Sequence, residues 1–298
     1  MRGFADVLPP EDLTVIGNIG DDVIQHGLYV SPDMDILTYT LAEVVDERKG
    51  WGYAEETYVV LETLKTLGVD TWMLLGDQDL ATHILRTELR RDGVRPTEIA
   101  ARLAERLGVR QRVLVPCDED VQTCVDTSEG MFNFQEFYLR KKCVPDVNDV
   151  SFAGGKEAKP TPEVLSALSV ADLLVFAPSN PIASIGPILA VPGMREAIRR
   201  SKAVTVAVSP LVGGACLKGP TLKMMNAVGL TPDLSGIAEF YKELVDLLVV
   251  DEVDDRPAKD VPIATVTAAT VMQTREDKQR LARKVIKEAS RLVDEEGA

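Results

Sequence analysis

The segment Leu173–Gly186 reads LLVFAPSNPIASIG, an apolar run that ends in a turn. A short run of large apolar residues bounded by turn residues is typical of a buried strand in a parallel sheet. The two prolines after the run restrict the backbone, and a rigid turn that opens toward a helix can direct amide groups at a phosphate. The segment therefore predicts a strand that ends at a binding loop.

Similar apolar runs alternate with amphipathic stretches along the rest of the chain. The predicted strands are Leu13–Ile16, Thr71–Leu75, Arg112–Val115, Leu173–Phe176, Val204–Val208, Leu247–Val250 and Ile263–Val266. The predicted helices are Glu55–Leu67, Asp79–Arg91, Pro96–Leu107, Met194–Arg200, Ile237–Leu244 and Asp277–Val293. This alternation predicts an α/β fold, a mostly parallel sheet with helices on both faces.

Residues 118–162 interrupt the alternation. They begin with an aromatic-rich part that contains Phe132, Phe134, Phe137 and Tyr138, and a turn-rich segment follows. No linker or repeat divides the chain, so residues 1–298 are expected to form a single domain. We interpret 118–162 as a small antiparallel insertion that caps the ligand edge of the sheet, and the alternative is an ordinary surface excursion.

The composition limits the classes of function. The 298 residues are 45% apolar, which provides a sizeable core and excludes wholesale disorder. Lys and Arg number 33 and Asp and Glu 47, so the net charge of −14 argues against binding to nucleic acid or to an anionic membrane. The four cysteines have neither Cys-x-x-Cys nor zinc spacing, and no signal peptide or membrane span is evident. We therefore expect reduced thiols and a cytoplasmic protein.

Small polar residues, Gly and Pro follow five of the predicted strands. The loops are Gly17–Asp22, Gly76–Asp79, Pro116–Asp120, Pro178–Pro181 and Ser209–Gly214. Ligands of open α/β sheets bind at the edge where the parallel strands end. Ordinary turn chemistry explains any one such loop, but five at the same edge favour a ligand site.

An acidic cluster follows the first predicted strand and is formed by Asp21, Asp22, Asp33 and Asp35. Carboxylates at this density repel one another unless they face solvent or share a cation. Oxygen ligands suit Mg²⁺, which typically binds one or two carboxylates together with substrate phosphates. A solvated loop in an acidic protein is the alternative, and spacing alone favours it.

A second set of polar residues lies on the helix predicted after Gly76. Asp79, His83 and Arg86 fall on one stripe of that helix, and Asp77 could cap it. The stripe is either a ligand-facing triplet or a salt-bridged surface face, and spacing slightly favours the surface face. His26 and His83 are the only histidines, and neither lies near a nucleophile-elbow serine, so acyl-enzyme hydrolysis is improbable.

Cations for an anionic ligand are predicted near the end of the fifth loop. Lys218 and Lys223 flank the dipeptide Gly219-Pro220, and Pro220 suits the first position of a helix. Lysines beside glycine-rich turns in an acidic protein are candidates for phosphate contact.

Several of these segments resemble one enzyme family, in the order in which that family has them. They are Asn18–Asp22, Ser31–Asp35, Gly50–Gly52, Leu75–His83, Phe134–Glu136, Ala177–Pro181, Ser184–Leu189 and Ser209–Pro220. Together they resemble the 2-phospho-L-lactate transferase family of coenzyme F-420 biosynthesis, the CofD/FbiA group, over nearly the whole chain.

The resemblance implies a Rossmann-like fold and one reaction. The terminal ribityl hydroxyl of the acceptor, 7,8-didemethyl-8-hydroxy-5-deazariboflavin, attacks the phosphate of a GDP-activated phospholactate or phosphoenolpyruvate donor, and GMP leaves. The implied metal is magnesium, with Asp21 and Asp35 as its ligands and as catalytic residues. A homodimer is possible by analogy with other enzymes of this size.

The remaining matched positions are implied substrate contacts. The Ser179–Gly186 turn would hold the donor, and Phe134 would cover the deazaflavin ring. The implied contacts are Asn18, Asp22, Asp33, Asp77, Asp79, His83, Arg86, Phe134, Ser179, Asn180, Pro181, Ser184, Gly186, Ser209 and Lys218.

Two departures from the family pattern and one alternative function accompany the resemblance. Met1–Phe4 is interpreted as the end of the family's first helix, so the first strand and its glycine-rich loop are expected to be missing through truncation or a start site called too far downstream. Gln78 replaces an arginine. The alternative is a nonenzymatic nucleotide-sugar-binding regulator of the same superfamily, but His26–Leu28 lacks the Gly-Ser-Ser-Gly segment of that group. The loops are compatible with a phospholactate, phosphoenolpyruvate or phosphoglycerate unit.

Overall fold

The computed structural model describes residues 1–216, 219–254 and 261–296. Its strands are β1 (Thr14–Ile16), β2 (Val23–Gln25), β3 (Leu28–Val30), β4 (Arg112–Leu114), β5 (Gln122–Thr127), β6 (Gly130–Asn133), β7 (Val147–Ala153), β8 (Leu173–Phe176), β9 (Val204–Val208), β10 (Leu211–Val212), β11 (Ala215–Cys216), β12 (Leu247–Asp251) and β13 (Ala264–Ala268). Its α-helices are α1 (Arg2–Val7), α2 (Pro32–Leu41), α3 (Val59–Thr66), α4 (Asp77–Arg91), α5 (Pro96–Arg106), α6 (Pro162–Val170), α7 (Gly186–Ala190), α8 (Met194–Arg200), α9 (Thr221–Ala227), α10 (Leu234–Tyr241) and α11 (Arg275–Glu296).

The central sheet has four parallel strands in the order β13-β12-β9-β8. On one face, Val206 of β9 and Val249 of β12 pack with Val285 of α11. On the other face, Leu248 of β12 packs in the same apolar cluster as Ile237 of α10. Burial on both faces explains why the two central strands, β9 and β12, are nearly continuous apolar runs. The predicted α/β class with helices on both faces of a parallel sheet is confirmed.

A second parallel pair is formed by β1 and β4, with Thr14 opposite Arg112. Within the described residues β1 pairs only with β4, and β8 pairs only with β9. Met1–Phe4 forms the N-cap and first turn of α1, and a cavity of about 250 Å³ lies among α1, α11, β8 and β9. The expectation that the family's first strand is missing stays a prediction.

The acidic segment after β1 leads into the hairpin of β2 and β3. Its two-residue turn, His26-Gly27, has positive φ at both positions (52° and 76°), as the tightest hairpin turns require. The predicted strand Thr71–Leu75 is wrong. Its apolar side chains Met73 and Leu75 pack against the hairpin and α4, and no strand pairs with the segment in the part of the chain that is described.

A capping side chain explains why one helix begins earlier than the sequence predicts. Asp233 accepts hydrogen bonds from the amides of Ser235 and Gly236, so α10 begins at Leu234 rather than at Ile237. A carboxylate at this position satisfies amides that have no partner inside the helix. None of the helices described between residues 1 and 296 is long and apolar enough to cross a membrane.

The insertion contains a three-stranded antiparallel sheet in the order β6-β5-β7. Its connection to β7 is held by Lys223 of α9, whose Nζ donates to the carbonyls of Cys143 (3.0 Å), Val144 (3.0 Å) and Pro145 (2.9 Å). Lys223, a sequence candidate for phosphate contact, therefore holds the insertion against α9 instead.

Candidate functional site

Asn18 joins three of the segments that the sequence analysis selected. Its Nδ2 donates to Asp33 Oδ2 (2.8 Å) at the start of α2 and to the carbonyl of Ala183 (3.3 Å) in the turn after β8. Its Oδ1 accepts from the amide of Gly20 (2.8 Å). The loop after β1, the first turn of α2 and the loop after β8 therefore meet at one buried amide.

The carboxylates of Asp21 and Asp33 interact at this point, and the pKa of each is raised. Burial, together with the charges of Asp33 and Asp22, raises the pKa of Asp21 well above its ordinary value. Burial also raises the pKa of Asp33, against the hydrogen bond from Asn18. Asp21 Oδ1 is buried and has no hydrogen-bond partner in the described structure. Two such acids are suited to share a cation.

Asp22 lies between this pair and a second cluster. It accepts a hydrogen bond from Ser31 Oγ (2.5 Å), across the two ends of the hairpin. Burial raises the pKa of Asp22 to about 7, against the opposing effects of the Ser31 hydrogen bond and the Arg86 charge. Asp22 therefore connects the acidic loop electrostatically to α4.

The second cluster is formed by Asp35, His83 and Arg86, whose exposed fractions are 5%, 2% and 5%. Arg86 grips Asp35 in a bidentate ion pair, with Nη1 at 3.1 Å from Oδ2 and Nη2 on Oδ1. The predicted stripe on α4 thus exists, but the surface-face interpretation is wrong because the stripe faces α2 in the interior.

His83 is a neutral imidazole in this cluster. Burial lowers its pKa to about 4, and the nearby Asp35 charge only partly opposes that effect. Arg86 Nη1, which can only donate, lies 3.2 Å from His83 Nδ1, so the ring proton resides on Nε2. Nε2 is buried without a partner among the described residues.

The acids at the start of α4 have structural partners. Asp77 was predicted to cap α4, but it caps α3 instead. Its carboxylate accepts from the amides of Val59 and Val60 (both 3.0 Å). Asp79 accepts from the amide of Gly76 (3.3 Å), and burial raises its pKa to about 6.

Glu56, which the sequence analysis missed, occupies the N-terminus of α4. Its carboxylate accepts from the amides of Gln78 (3.0 Å) and Asp79 (3.3 Å). A side chain at Gly76 would meet Glu56 atoms at 2.1 Å, so the glycine is needed for this approach. The separation of 22 and 23 residues along the chain left no spacing signal for these contacts.

Two backbone amides of the turn after β8 donate to a side chain of the same turn. Asn180 Oδ1 accepts from the amides of Ile182 (2.9 Å) and Ala183 (3.2 Å), so these two donors are already occupied. Among the other predicted contacts of the turn, Pro181 and Gly186 are buried, whereas Ser179 and Ser184 are half-buried.

Two further predicted contacts, Phe134 and Ser209, lie apart from the two acidic clusters, and a third, Lys218, lies outside the described residues. Phe134 is buried and stacks on the half-exposed ring of Tyr138, with centroids 5.6 Å apart, so Tyr138 is the more accessible aromatic. Ser209 is buried, and its Oγ accepts from the amide of Leu211 (3.1 Å). Lys218 lies outside the described residues.

The arrangement defines an α/β protein with an acidic site at the carboxyl ends of β1 and β8. No group of three His, Cys, Asp or Glu side chains in the described ranges is placed to hold a metal. A divalent cation at Asp21 and Asp33 would therefore need further oxygen ligands from a phosphate-bearing substrate, as is usual for Mg²⁺.

Comparisons with known proteins identify the family. The sequence profile of "2-phospho-L-lactate transferase CofD" matches residues 1–290. The chain is 36% identical to the 2-phospho-L-lactate transferase of Methanosarcina mazei over 96% of its own length and 95% of that protein. It is 39% identical to the phosphoenolpyruvate transferase of Streptomyces griseus over 91% of this chain and 87% of that one.

A solved structure has the same fold. The crystal structure of a UPF0052 family member from Bacillus halodurans matches with a TM-score of 0.63 at 16% identity, over 96% of this chain and 94% of that chain. The chain belongs to the 2-phospho-L-lactate transferase CofD family, a family of enzymes.

Proposed function

We propose that this chain transfers a 2-phospholactyl or phosphoenolpyruvyl group from a GDP-activated donor to 7,8-didemethyl-8-hydroxy-5-deazariboflavin. The ribityl hydroxyl oxygen bonds to the donor phosphorus, the anhydride bond to GMP breaks, and the hydroxyl proton is released. The match of the family profile to residues 1–290 is the observation that carries this proposal. Relatives named for each of the two donor types support both donors.

We propose Mg²⁺ as the metal, held by Asp21 and Asp33. The unpartnered Asp21 oxygen beside a second carboxylate fits a divalent cation. When bound, the metal would neutralise charge on the donor phosphates. Asp35, the other ligand expected from sequence, has both carboxylate oxygens on Arg86, so we assign it to orienting the acceptor hydroxyl instead.

The remaining assignments follow from position. The turn after β8 and the amide of Asn18 bring donor-binding segments to the acids. The exposed ring of Tyr138 is better placed than Phe134 to cover a deazaflavin. We propose a cytoplasmic location, as expected from the spacing of the cysteines in the sequence. The possible homodimer stays a prediction.

A transfer assay tests the proposal. The chain is incubated with the deazaflavin, Mg²⁺ and each guanylated donor, and the expected result is equal amounts of GMP and phosphodiester. Calorimetry with guanine nucleotides and UDP-sugars separates this function from the regulator alternative, which none of the relatives reported above supports. Binding of a UDP-sugar in place of guanine nucleotide, without transfer, would overturn the proposal.

A further inference from the structure

The ion pair between Asp35 and Arg86 joins α2 to α4 in the interior of the protein. Arg86 Nη1 faces three acceptors from three elements: Asp35 Oδ2 (3.1 Å) on α2, the Tyr29 carbonyl (3.4 Å) on β3 and His83 Nδ1 (3.2 Å) on α4. The next residue, Thr87, accepts from the amide of Tyr29 (2.7 Å). Two consecutive residues of α4, Arg86 and Thr87, therefore hold the backbone of Tyr29, and Arg86 also holds the carboxylate of Asp35.

Hydrogen bonding, rather than exposure, separates the roles of Arg86 and Asp35, which are both 5% exposed. The Nη atoms of Arg86 donate to protein acceptors, whereas the Asp35 carboxylate keeps lone pairs that can accept from a hydroxyl. A donor phosphate would have to displace Asp35 to reach the guanidinium, which would leave that carboxylate buried without a partner. Breaking a buried pair in this way is strongly unfavourable.

The ion pair between Asp35 and Arg86 orients a carboxylate of the acidic site, in addition to any effect on stability. A buried ion pair contributes little net stability compared with apolar side chains of similar volume. A bidentate guanidinium fork, however, fixes the plane of a carboxylate, which a lysine cannot do.

We infer that Arg86 is a positioning residue that fixes the carboxylate of Asp35, without touching donor or acceptor. This role replaces the substrate contact predicted from sequence, and it rests on the proposed transferase function. Arg86 acts through Asp35, so the effects of the two residues on turnover are coupled.

A double-mutant cycle tests the inference. Initial rates give kcat and KM for donor and acceptor in wild type, Arg86→Met, Arg86→Lys, Asp35→Asn and the double variant Asp35→Asn/Arg86→Met. Arg91→Met, on an exposed face of the same helix, is the matched control for loss of one cation. Thermal unfolding and circular dichroism check that each variant is folded.

The expected result is a loss in kcat. Arg86→Met should lower kcat about tenfold or more while KM for the donor changes less than about twofold. Arg86→Lys should restore part of the loss, and Arg86→Met should cost less than about twofold in the Asp35→Asn background. If Arg86→Met does not fold, Arg86→Lys carries the test, with lowered kcat and unchanged KM expected.

Other outcomes overturn the inference. A rise of about tenfold in donor KM at unchanged kcat would show direct substrate contact. A full Arg86→Met effect in the Asp35→Asn background would show that Arg86 acts independently of Asp35. An active wild type with an equally active Arg86→Met overturns this role alone, whereas a folded wild type that transfers neither donor overturns the proposed function and this role with it.

Discussion

The amide of Asn18 lies 2.8 Å from the carboxylate of Asp33, fifteen residues along the chain, and thereby connects the loop after β1 to the first turn of α2. The same nitrogen reaches the Ala183 carbonyl in the turn after β8. One side chain thus sets the distance between the acidic pair and the loop proposed to hold the donor.

Replacement of Asn18 by alanine should lower the free energy of unfolding by about 1–3 kcal/mol, because Asp33 and the Ala183 carbonyl lose a buried donor. Urea unfolding measures the change. Asn148→Ala, at an exposed position of β7, is the matched control and should change stability by less than about 0.5 kcal/mol. Equal effects of the two variants would contradict the assignment of Asn18 as the junction.

Asp21→Asn should have opposite effects in the absence and presence of metal. In chelator, the variant should be more stable than wild type by about 1–2 kcal/mol, because one of two repelling buried charges is removed. With Mg²⁺ in the presence of GDP, whose phosphates supply further oxygen ligands, wild type should gain stability by mass action and the variant should not. Thermal unfolding with and without magnesium measures both effects, and Asp149→Asn, on the exposed part of the insertion, should leave both unchanged. A magnesium response that survives in Asp21→Asn would remove Asp21 from the proposed metal site.

Lys223→Met should loosen the insertion. Three carbonyls, those of Cys143, Val144 and Pro145, lose their shared donor, so amide hydrogen exchange across 141–147 should accelerate and stability should fall by about 2 kcal/mol. Lys202→Met, at an exposed position before β9, is the control. Unchanged exchange at 141–147 would show that contacts other than Lys223 hold this connection.

His83 should make the protein sensitive to acid. Its pKa is about 4 in the folded protein and 6.5 in the unfolded chain. Between these pH values the unfolded chain therefore binds more protons than the folded protein does. Stability contributed by the neutral ring is present above pH 6.5 and should fall by roughly 3 kcal/mol as the pH drops to 4. The measurement is the difference in unfolding free energy between wild type and His83→Gln from pH 7.5 to 4, in which the titration of other acids largely cancels. A difference that does not change with pH would contradict the buried neutral state.

The sequence predicted what depends on local pattern. The apolar run Leu173–Phe176 forms β8 at the predicted bounds, because Leu173 and Val175 pack on one apolar cluster and Leu174 and Phe176 on another. Thr71–Leu75 has the same local character but packs against a hairpin, and no local rule distinguishes the two environments. Spacing on α4 correctly placed Asp79, His83 and Arg86 on one face, but only the position of α2 decides that this face is interior.

Contacts between distant segments account for what the sequence analysis missed. Glu56 reaches the start of α4 from a loop, and Asp77 caps α3 instead of its own helix. Asn180 occupies amides that were expected to be available to a phosphate. In each case the residue type was compatible with the role, but the partner is set by tertiary structure.

The central claim is that acidic side chains at the edge of the sheet hold a cation that serves transfer to the deazaflavin. Its most direct test is the rate of GMP release with acceptor and guanylated donor, measured against magnesium concentration for wild type and Asp21→Asn. We expect the wild-type rate to rise from near zero and saturate, and the variant to be slower by about a hundredfold or more. Equal rates in both proteins that persist in excess chelator would contradict the claim.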